Sequence, residues 1–294
     1  MKVDCVFSGG GIKGFALIGA IQALEKNGLT PVRLAGTSAG AIIAAFVAAG
    51  YSGKELEQIM DESNLIDFLD ARKSIFPISI MKWLSLYRRL GLYRGKVLES
   101  WLEEKLQAKG VKVFGDLPNE TLRIVASDLT NGRIMVFPDD LERYGYDPRT
   151  FPIAKAIRMS AGIPYFFEPV KLTKVKPQPV IVDGALLSNF PVWLFEQRKK
   201  ENIRPLIGFQ LSPSLENRPT HQINNAIGLF KALFDTMMDA HDMRYISRGI
   251  EKNIVFIPVD SELSRDFKIT KELRDKMIVE GFNRTIHFLN RWNY

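Results

Sequence analysis

Two glycine-rich turns near the start of the chain constrain its fold more than any other feature. The first turn covers residues 9–14 (GGGIKG), and the second, residues 36–40 (GTSAG), begins 22 positions after the first one ends. Each turn follows a short apolar run and precedes an apolar segment with helical spacing. This repeated order of strand, turn and helix predicts a parallel sheet with helices on both faces. The flanking strands are predicted at residues 2–7 and 32–35, and the flanking helices at residues 15–26 and 39–49.

The rest of the chain continues the alternation of strands and helices, without an internal repeat, a low-complexity tract or a proline- or serine-rich linker. We therefore predict a single α/β domain over residues 1–294, with residues 67–94 inserted as a cap. Further strands are predicted at residues 122–126, 134–137, 180–182, 206–211 and 254–259. Further helices are predicted at residues 54–63, 96–109, 152–159, 224–247 and 271–290.

The composition narrows the class of protein. Of the 294 residues, 46% are hydrophobic and 25% are charged, which excludes collagen-like, coiled-coil and disordered chains. The single cysteine, Cys5, excludes an internal disulfide and a cysteine-rich zinc site. The longest apolar run, residues 41–49, is well short of the ~20 residues that span a bilayer. Residues 1–7 lack the apolar core of a secretory signal, so we expect a cytoplasmic location, with or without peripheral contact to a membrane.

The formal net charge of +7 belongs to one segment. Residues 71–98 contain seven Lys and Arg side chains and no Asp or Glu, whereas the rest of the chain is balanced. Because the excess is confined to this segment, we do not expect a nucleic-acid partner. Within residues 72–96 the basic side chains are interleaved with Trp83, Tyr87 and aliphatic residues, a pattern that suits an anionic lipid surface. The alternative is a cap helix that packs on the core and has a solvated charged face.

Gly9, Gly11 and Gly14 in the first turn match the G-x-G-x-x-G pattern of dinucleotide-binding proteins. That interpretation requires an acidic residue at the end of the second strand, where this chain has LAGTS at residues 34–38. A phosphate-binding P-loop is also excluded, because no Gly-Lys-Ser or Gly-Lys-Thr closes the turn. The turn still offers main-chain N–H groups at a helix N-terminus, which suit a phosphate or a transition-state oxyanion equally. A tight turn without a ligand is the alternative.

The second turn has the G-x-S-x-G pattern of a nucleophile elbow, in which a strand-to-helix turn exposes a serine hydroxyl. Ser38 is therefore the candidate nucleophile, and the N–H groups of Gly10, Gly11 and Ala39 are candidate donors to an oxyanion. The short spacing between the turns leaves room for one helix and one strand, which places both turns at the carboxyl ends of neighbouring strands. Both helix N-termini then point into the crevice where open α/β sheets bind ligands.

A serine nucleophile needs a base, and Asp183 is the best candidate. It ends the apolar run 180–182 and precedes Gly184, so we expect it at the carboxyl end of a buried parallel strand, on the same rim as Ser38. An ordinary Asp has a pKa near 3.9 and is a poor base, and we expect apolar surroundings to raise the pKa of this carboxyl. A turn-forming Asp-Gly pair is the alternative.

The three histidines all lie late in the chain. His241 and His287 fall in predicted helices, where surface or packing roles are the ordinary ones. His221 follows a proline in a polar loop, and it remains the alternative base.

Together these motifs resemble the patatin-like phospholipase family, over about residues 3–195. The resemblance implies a three-layer α/β/α sandwich that hydrolyses acyl esters of lipids with a Ser–Asp dyad, without a metal or other cofactor. The matching motifs are residues 9–14 (GGGIKG), 36–40 (GTSAG) and 183–185 (DGA), and weaker family-like segments lie at residues 126–132, 160–164 and 188–191.

The resemblance also implies roles for individual residues. Ser38 would attack the ester carbonyl, Asp183 would accept its proton, and main-chain N–H groups of the first turn would hold the oxyanion. Lys13 stands where the family commonly has Arg, and it is either a contact for an anionic head group or a solvated side chain. The implied oxyanion donors are Gly9, Gly10, Gly11 and Ala39, and the glycines that support the motifs are Gly14, Gly36, Gly40 and Gly184.

The same residues leave rival functions open. A small-ester or thioester hydrolase, or an acyltransferase, would use the same nucleophile, because nothing in the elbow distinguishes water from another acceptor. A lipid-binding or regulatory protein with an idle dyad is a rival of another class. Retention of Ser38, Asp183 and all the loop glycines disfavours it, because binding alone does not require them together.

Overall fold

The computed structural model describes a central sheet and the helices packed on it. Among the described residues, the α-helices at least eight residues long are α1 (Phe15–Lys26), α2 (Ala39–Ala48), α3 (Gly53–Glu62), α4 (Lys96–Ala108), α5 (Ile153–Ser160) and α6 (Lys271–Leu289). The strands are β1 (Lys2–Phe7), β2 (Thr30–Thr37), β3 (Gly91–Tyr93), β4 (Leu122–Asp128), β5 (Arg133–Phe137), β6 (Tyr165–Phe167), β7 (Val170–Lys171), β8 (Val180–Asp183), β9 (Leu206–Ser212) and β10 (Ile254–Pro258). The residues described are 1–71, 86–195, 204–212, 223–224, 228–229, 232–234, 236–237, 251–259 and 269–292.

The sheet has the strand order β10-β9-β1-β2-β4-β8-β7, with β5 also paired to β4. The strands from β10 to β4 run parallel, whereas β5 and β8 run antiparallel to β4, and β7 runs antiparallel to β8. Strand β1 is buried on both faces: Cys5 and Phe7 belong to the main hydrophobic core, and Val6 belongs to a second cluster with Phe190 and Val192. The predicted α/β fold with a mostly parallel central sheet is confirmed.

The direction of β8 differs from the sequence prediction, which placed Asp183 on a parallel strand. Strand β2 pairs with the first part of β4 and ends at Thr37, opposite Val125. Strand β8 approaches from the other direction and ends at Asp183, opposite Ala126. Both lie on the same edge of β4, because β5 occupies the other edge. The carboxyl ends of β2 and β8 therefore face each other along the same edge of β4. This arrangement brings Asp183 next to the turn that carries Ser38.

The last helix packs directly on the helix that follows the first glycine turn. A Cβ atom on Gly19 of α1 would overlap the carbonyl oxygen of Ile278, and one on Gly281 of α6 would overlap the carbonyl oxygen of Ala16. The two backbones can approach this closely because both positions lack a side chain. The C-terminal part of the chain is thus packed against the first βα unit.

One carboxylate links the start of the predicted cap to the helix that follows the cap. Asp70 accepts hydrogen bonds from the N–H groups of Gly95, Lys96 and Val97, so it caps the N-terminus of α4 from outside the helix. The short strand β3, which the sequence did not predict, then pairs in parallel with β6. Residues 72–85, which carry Trp83, lie outside the described residues, as does most of the predicted helix 224–247.

Candidate active site

Ser38 occupies a strained turn between β2 and α2. Its backbone has φ 53° and ψ −120°, a conformation that costs a residue other than glycine about 1–3 kcal/mol. The turn is tight enough that a Cβ atom on Gly36 would overlap the main chain of Gly40. A Cβ atom on Gly40 would in turn lie 2.5 Å from the carbonyl oxygen of Ser8. The G-x-S-x-G spacing therefore follows from the close approach of β1, β2 and α2.

Asp183 lies next to this serine. The Ser38 hydroxyl donates a hydrogen bond to Asp183 Oδ2 at 2.8 Å, and the two residues are 5% and 1% exposed. Asp183 Oδ1 accepts the N–H of Ala185 at 2.8 Å, which leaves the other oxygen facing the serine. Burial raises the pKa of the Asp183 carboxyl to about 7, and the hydrogen bonds from Ala185 and Ser38 only partly offset it. The direction is the one expected from apolar surroundings.

Residues 160–162 hold both Ser38 and Asp183 in place, a role that the sequence does not indicate. Ser160 Oγ accepts the N–H of Ser38 at 2.9 Å and donates to the carbonyl of Val125 at 2.6 Å. The N–H of Asp183 donates to the carbonyl of Gly162 at 2.9 Å. The available signal was a Ser-Ala-Gly segment at the end of a predicted helix, which by itself does not indicate its contacts.

The first glycine turn lies against the elbow, as its spacing predicts. A Cβ atom on Gly14 would lie 2.9 Å from that of Ala39, so the two helix N-termini almost touch. Within the described part of the chain, the N–H groups of Gly10, Gly11 and Ala39 have no hydrogen-bond acceptor. Gly9 differs from the expectation, because its N–H already donates to the carbonyl of Asn189 at 3.0 Å. Three of the four expected oxyanion donors are therefore available.

The other glycines and Lys13 have more limited roles in the geometry. A Cβ atom on Gly9 would lie 2.5 Å from Asn189 Oδ1 and 3.3 Å from Ser38 Cβ, so this position serves the close packing of the turn. A Cβ atom on Gly184 would overlap the carbonyl oxygen of Val125. Lys13 is half-buried on a short 3₁₀ helix, Gly11–Gly14, and its contact with a head group stays a prediction.

An apolar pocket opens beside Ser38. It contains about 970 Å³ of empty space, its open mouth included. Its walls come from α1 to α4, from the 3₁₀ helix Leu65–Phe68 and from residues just after α5. The side chains that line it are overwhelmingly aliphatic or aromatic, among them Ile12, Ile42, Phe46, Met60, Phe68 and Trp101. Such a lining fits a hydrocarbon chain attached to a carbonyl at the serine.

The histidines give no alternative base in the described residues. His287 is exposed on α6, whereas His221 and His241 lie outside the described residues. Where side chains are described, no three His, Cys, Asp or Glu residues form a group that could hold a metal ion. The helices in those same ranges are all too short or too polar to cross a membrane.

Comparison with known proteins gives a consistent family. Residues 5–195 match the family described as patatin-like phospholipase. The chain is 51% identical over 294 residues, the full length of both proteins, to the uncharacterized protein YqhO of Bacillus subtilis. It is 27% identical over 195 residues to triacylglycerol lipase ptl3 of Schizosaccharomyces pombe, which is 64% of this chain and 38% of that one. VipD from Legionella pneumophila has a similar fold, with a TM-score of 0.55 and 17% identity over 99% of this chain and 67% of VipD.

Proposed function

The chain belongs to the patatin-like phospholipase family, and on this basis we propose that it is a serine lipid acyl hydrolase with Ser38 as nucleophile and Asp183 as base. The observation that carries the proposal is the buried 2.8 Å hydrogen bond from the Ser38 hydroxyl to Asp183. The apolar pocket beside the serine supports a lipid acyl chain as the group transferred. The similarity to a triacylglycerol lipase supports the same substrate class.

The reaction proceeds in two steps through an acyl-enzyme. Ser38 Oγ attacks the ester carbonyl while Asp183 Oδ2 takes the hydroxyl proton, and the N–H groups of Gly10, Gly11 and Ala39 stabilise the oxyanion. Collapse of the tetrahedral intermediate breaks the bond to the alcohol, which leaves with the proton from Asp183. A water molecule then attacks the acyl-enzyme, Asp183 accepts the proton of that water, and the fatty acid is released with Ser38 restored.

The geometry lets a single carboxylate act as the base. A carboxylate with an ordinary pKa holds its negative charge too well to take a serine proton at neutral pH. Burial gives Asp183 a pKa of about 7, close to the value that balances ionisation against basicity. The bond from Ala185 fixes the orientation of the carboxylate, a task that falls to a third residue in a Ser–His–Asp triad.

We also propose that the basic segment meets an anionic membrane surface. In its described part, Tyr87 is 84% exposed and Leu90 is 43% exposed, and Arg88, Arg89 and Arg94 beside them are exposed as well. Exposed aromatic and aliphatic side chains among cations favour an interface with anionic lipid. Strand β3, which follows this surface, pairs with β6, whose last residue lines the pocket. The described part of the basic segment is therefore linked through β3 and β6 to the wall of the pocket.

The substrate class is tested by incubating the protein with vesicles of phosphatidylglycerol and with emulsified triacylglycerol, and by measuring released fatty acid by mass spectrometry. We expect release by the wild type from at least one of these lipids and none by Ser38→Ala. The proposal fails if the folded wild type releases fatty acid no faster than Ser38→Ala from either lipid.

A further inference from the structure

The apolar pocket runs along one helix, which gives it a length that can be measured. Five residues of its lining follow one face of α2 from its N-cap: Ser38, Ala39, Ile42, Ile43 and Phe46. Phe46 lies eight residues after Ser38, and at 1.5 Å per residue this corresponds to about 12 Å along the helix axis. The pocket thus begins at the nucleophile and extends about two helical turns away from it.

Aromatic side chains from three elements meet at the far end of the pocket. Trp101 of α4 lies between the other two, with ring centroids 5.6 Å from Phe46 and 5.0 Å from Phe68. Phe46 is fully buried, whereas Phe68 and Trp101 are half-buried. The three rings therefore lie together about two helical turns from Ser38, and a smaller residue at position 101 would enlarge the space there.

We propose that this aromatic cluster, Phe46, Phe68 and Trp101, limits the acyl chains that the site accepts to about eight to ten carbons. An extended chain advances about 1.2 Å per bond, so 12 Å accommodates about ten atoms, and the Phe46 ring, which leans towards the start of its helix, takes some of that length. Methylenes within the pocket gain about fourfold each in affinity from burial, whereas a chain that is longer than the pocket meets the cluster and cannot be seated with its carbonyl at Ser38. The inference rests on the proposed function, because it takes Ser38 as the atom from which the chain is measured.

A substitution near the nucleophile should shorten the accepted acyl chain instead of lengthening it. Ile42 lines the pocket one turn after Ser38, which corresponds to about 6 Å along the helix axis. A larger side chain at this position would fill the path that the acyl chain takes. Ile42→Phe is therefore expected to shorten the accepted chain to about five carbons, whereas Trp101→Ala and Phe68→Ala are expected to lengthen it.

The test is a competition between p-nitrophenyl esters of four, ten and sixteen carbons. The esters are presented in pairs within the same Triton mixed micelles, so that binding of the enzyme to the micelle surface affects both esters equally and does not change the ratio of their rates. Products are separated by chromatography, and the ratio of rates gives the ratio of kcat/KM values. Trp292→Ala is the matched control, because Trp292 is a half-buried tryptophan next to Asn253 and Phe288, outside the pocket. Thermal unfolding of each variant establishes that it is folded.

We expect the wild type to prefer ten carbons to sixteen, and Trp101→Ala or Phe68→Ala to raise the sixteen-to-ten ratio at least about tenfold. Ile42→Phe should lower the ten-to-four ratio by a similar factor, and Trp292→Ala should change neither ratio. Equal rates for ten and sixteen carbons in the wild type, or unchanged ratios in the folded pocket variants, would overturn the proposed limit on acyl-chain length. Neither result would contradict the proposed function. Absence of hydrolysis for every ester would overturn the proposed function as well.

Discussion

Ser160 Oγ accepts the main-chain N–H of Ser38 at 2.9 Å, although the two residues lie 122 positions apart in the chain. The same hydroxyl donates to the carbonyl of Val125, the residue opposite the last one of β2. Ser38 has an unfavourable backbone conformation, and such a conformation persists only where its surroundings over-determine it. Ser160 is one of those restraints, because it ties the amide of the nucleophile to β4.

Replacing Ser160 with alanine should slow the chemistry more than it weakens substrate binding. The change removes the Ser160 partner of the buried Ser38 N–H, at about 1–3 kcal/mol, together with the hydrogen bond to the Val125 carbonyl, and it lets the turn at Ser38 relax. We expect kcat to fall about tenfold with KM little changed. Ser63→Ala is the control, since the Ser63 hydroxyl donates to the carbonyl of Ile59 away from the site. Equal kcat values for the wild type and Ser160→Ala would contradict a positioning role.

The pH dependence of activity should follow the ionisation of Asp183. The carboxyl must be ionised to accept the serine proton, and its raised pKa of about 7 means that the active fraction falls tenfold per pH unit below that value. We therefore expect log kcat/KM to rise with a slope of one up to about pH 7 and then to level off. Product is best quantified by chromatography, which does not depend on pH. A flat profile from pH 5 to pH 8 would count against this base.

A histidine base would give a similar profile, since the ordinary pKa of His is about 6.5. His221→Ala separates the two, because the profile should be unchanged in this variant if Asp183 is the base. Loss of activity in folded His221→Ala would favour a triad instead.

Gly281→Ala should disrupt the whole protein, not only its C-terminal part. A methyl group at this position would overlap the carbonyl of Ala16 on α1, and α1 directly follows the first glycine turn. Overpacking of this kind costs about 1–3 kcal/mol or more, so we expect a fall in Tm of several degrees. Asn283→Ala, at an exposed position of the same helix, is the control and should not lower the Tm.

Calorimetry of these two variants also tests whether the chain is one domain. If the chain is one domain, we expect a single cooperative unfolding transition in both variants. The whole of this transition should shift to lower temperature in Gly281→Ala. Two transitions, of which the upper stays in place, would show that the C-terminal part unfolds separately.

Charge reversal at Arg88 and Arg89 should weaken binding to anionic vesicles. Each cation near such a surface contributes about 1 kcal/mol, so Arg88→Glu combined with Arg89→Glu should reduce partitioning at least tenfold in flotation with phosphatidylglycerol vesicles. The control is Lys252→Glu with Arg291→Glu, which makes the same change in net charge at exposed positions elsewhere. Equal losses in both double variants would show that overall charge, and not this surface, directs binding.

The sequence predicted the parts of the site whose chemistry requires particular residues in a local pattern. The glycines around Ser38 mark a turn that only small residues permit, and the apolar run before Asp183 marks the end of a buried strand. The direction of β8 could not be predicted, because antiparallel pairing with β4 depends on contacts between distant residues. The same applies to the bond between Ser160 and Ser38, and to the bond that occupies the N–H of Gly9. Strands of two or three residues, such as β3, β6 and β7, are too short to show an alternation.

The most direct test of the central claim is labelling with a fluorophosphonate probe, followed by mass spectrometric mapping of the modified peptide. Wild type, Ser38→Ala and Asp183→Asn are compared, each shown to be folded by circular dichroism. We expect a label on Ser38 in the wild type, none in Ser38→Ala, and a labelling rate at least about a hundredfold lower in Asp183→Asn, because general-base catalysis contributes about 10²–10⁴. Labelling of Asp183→Asn at the wild-type rate, or a label on another residue, would contradict the Ser38–Asp183 dyad.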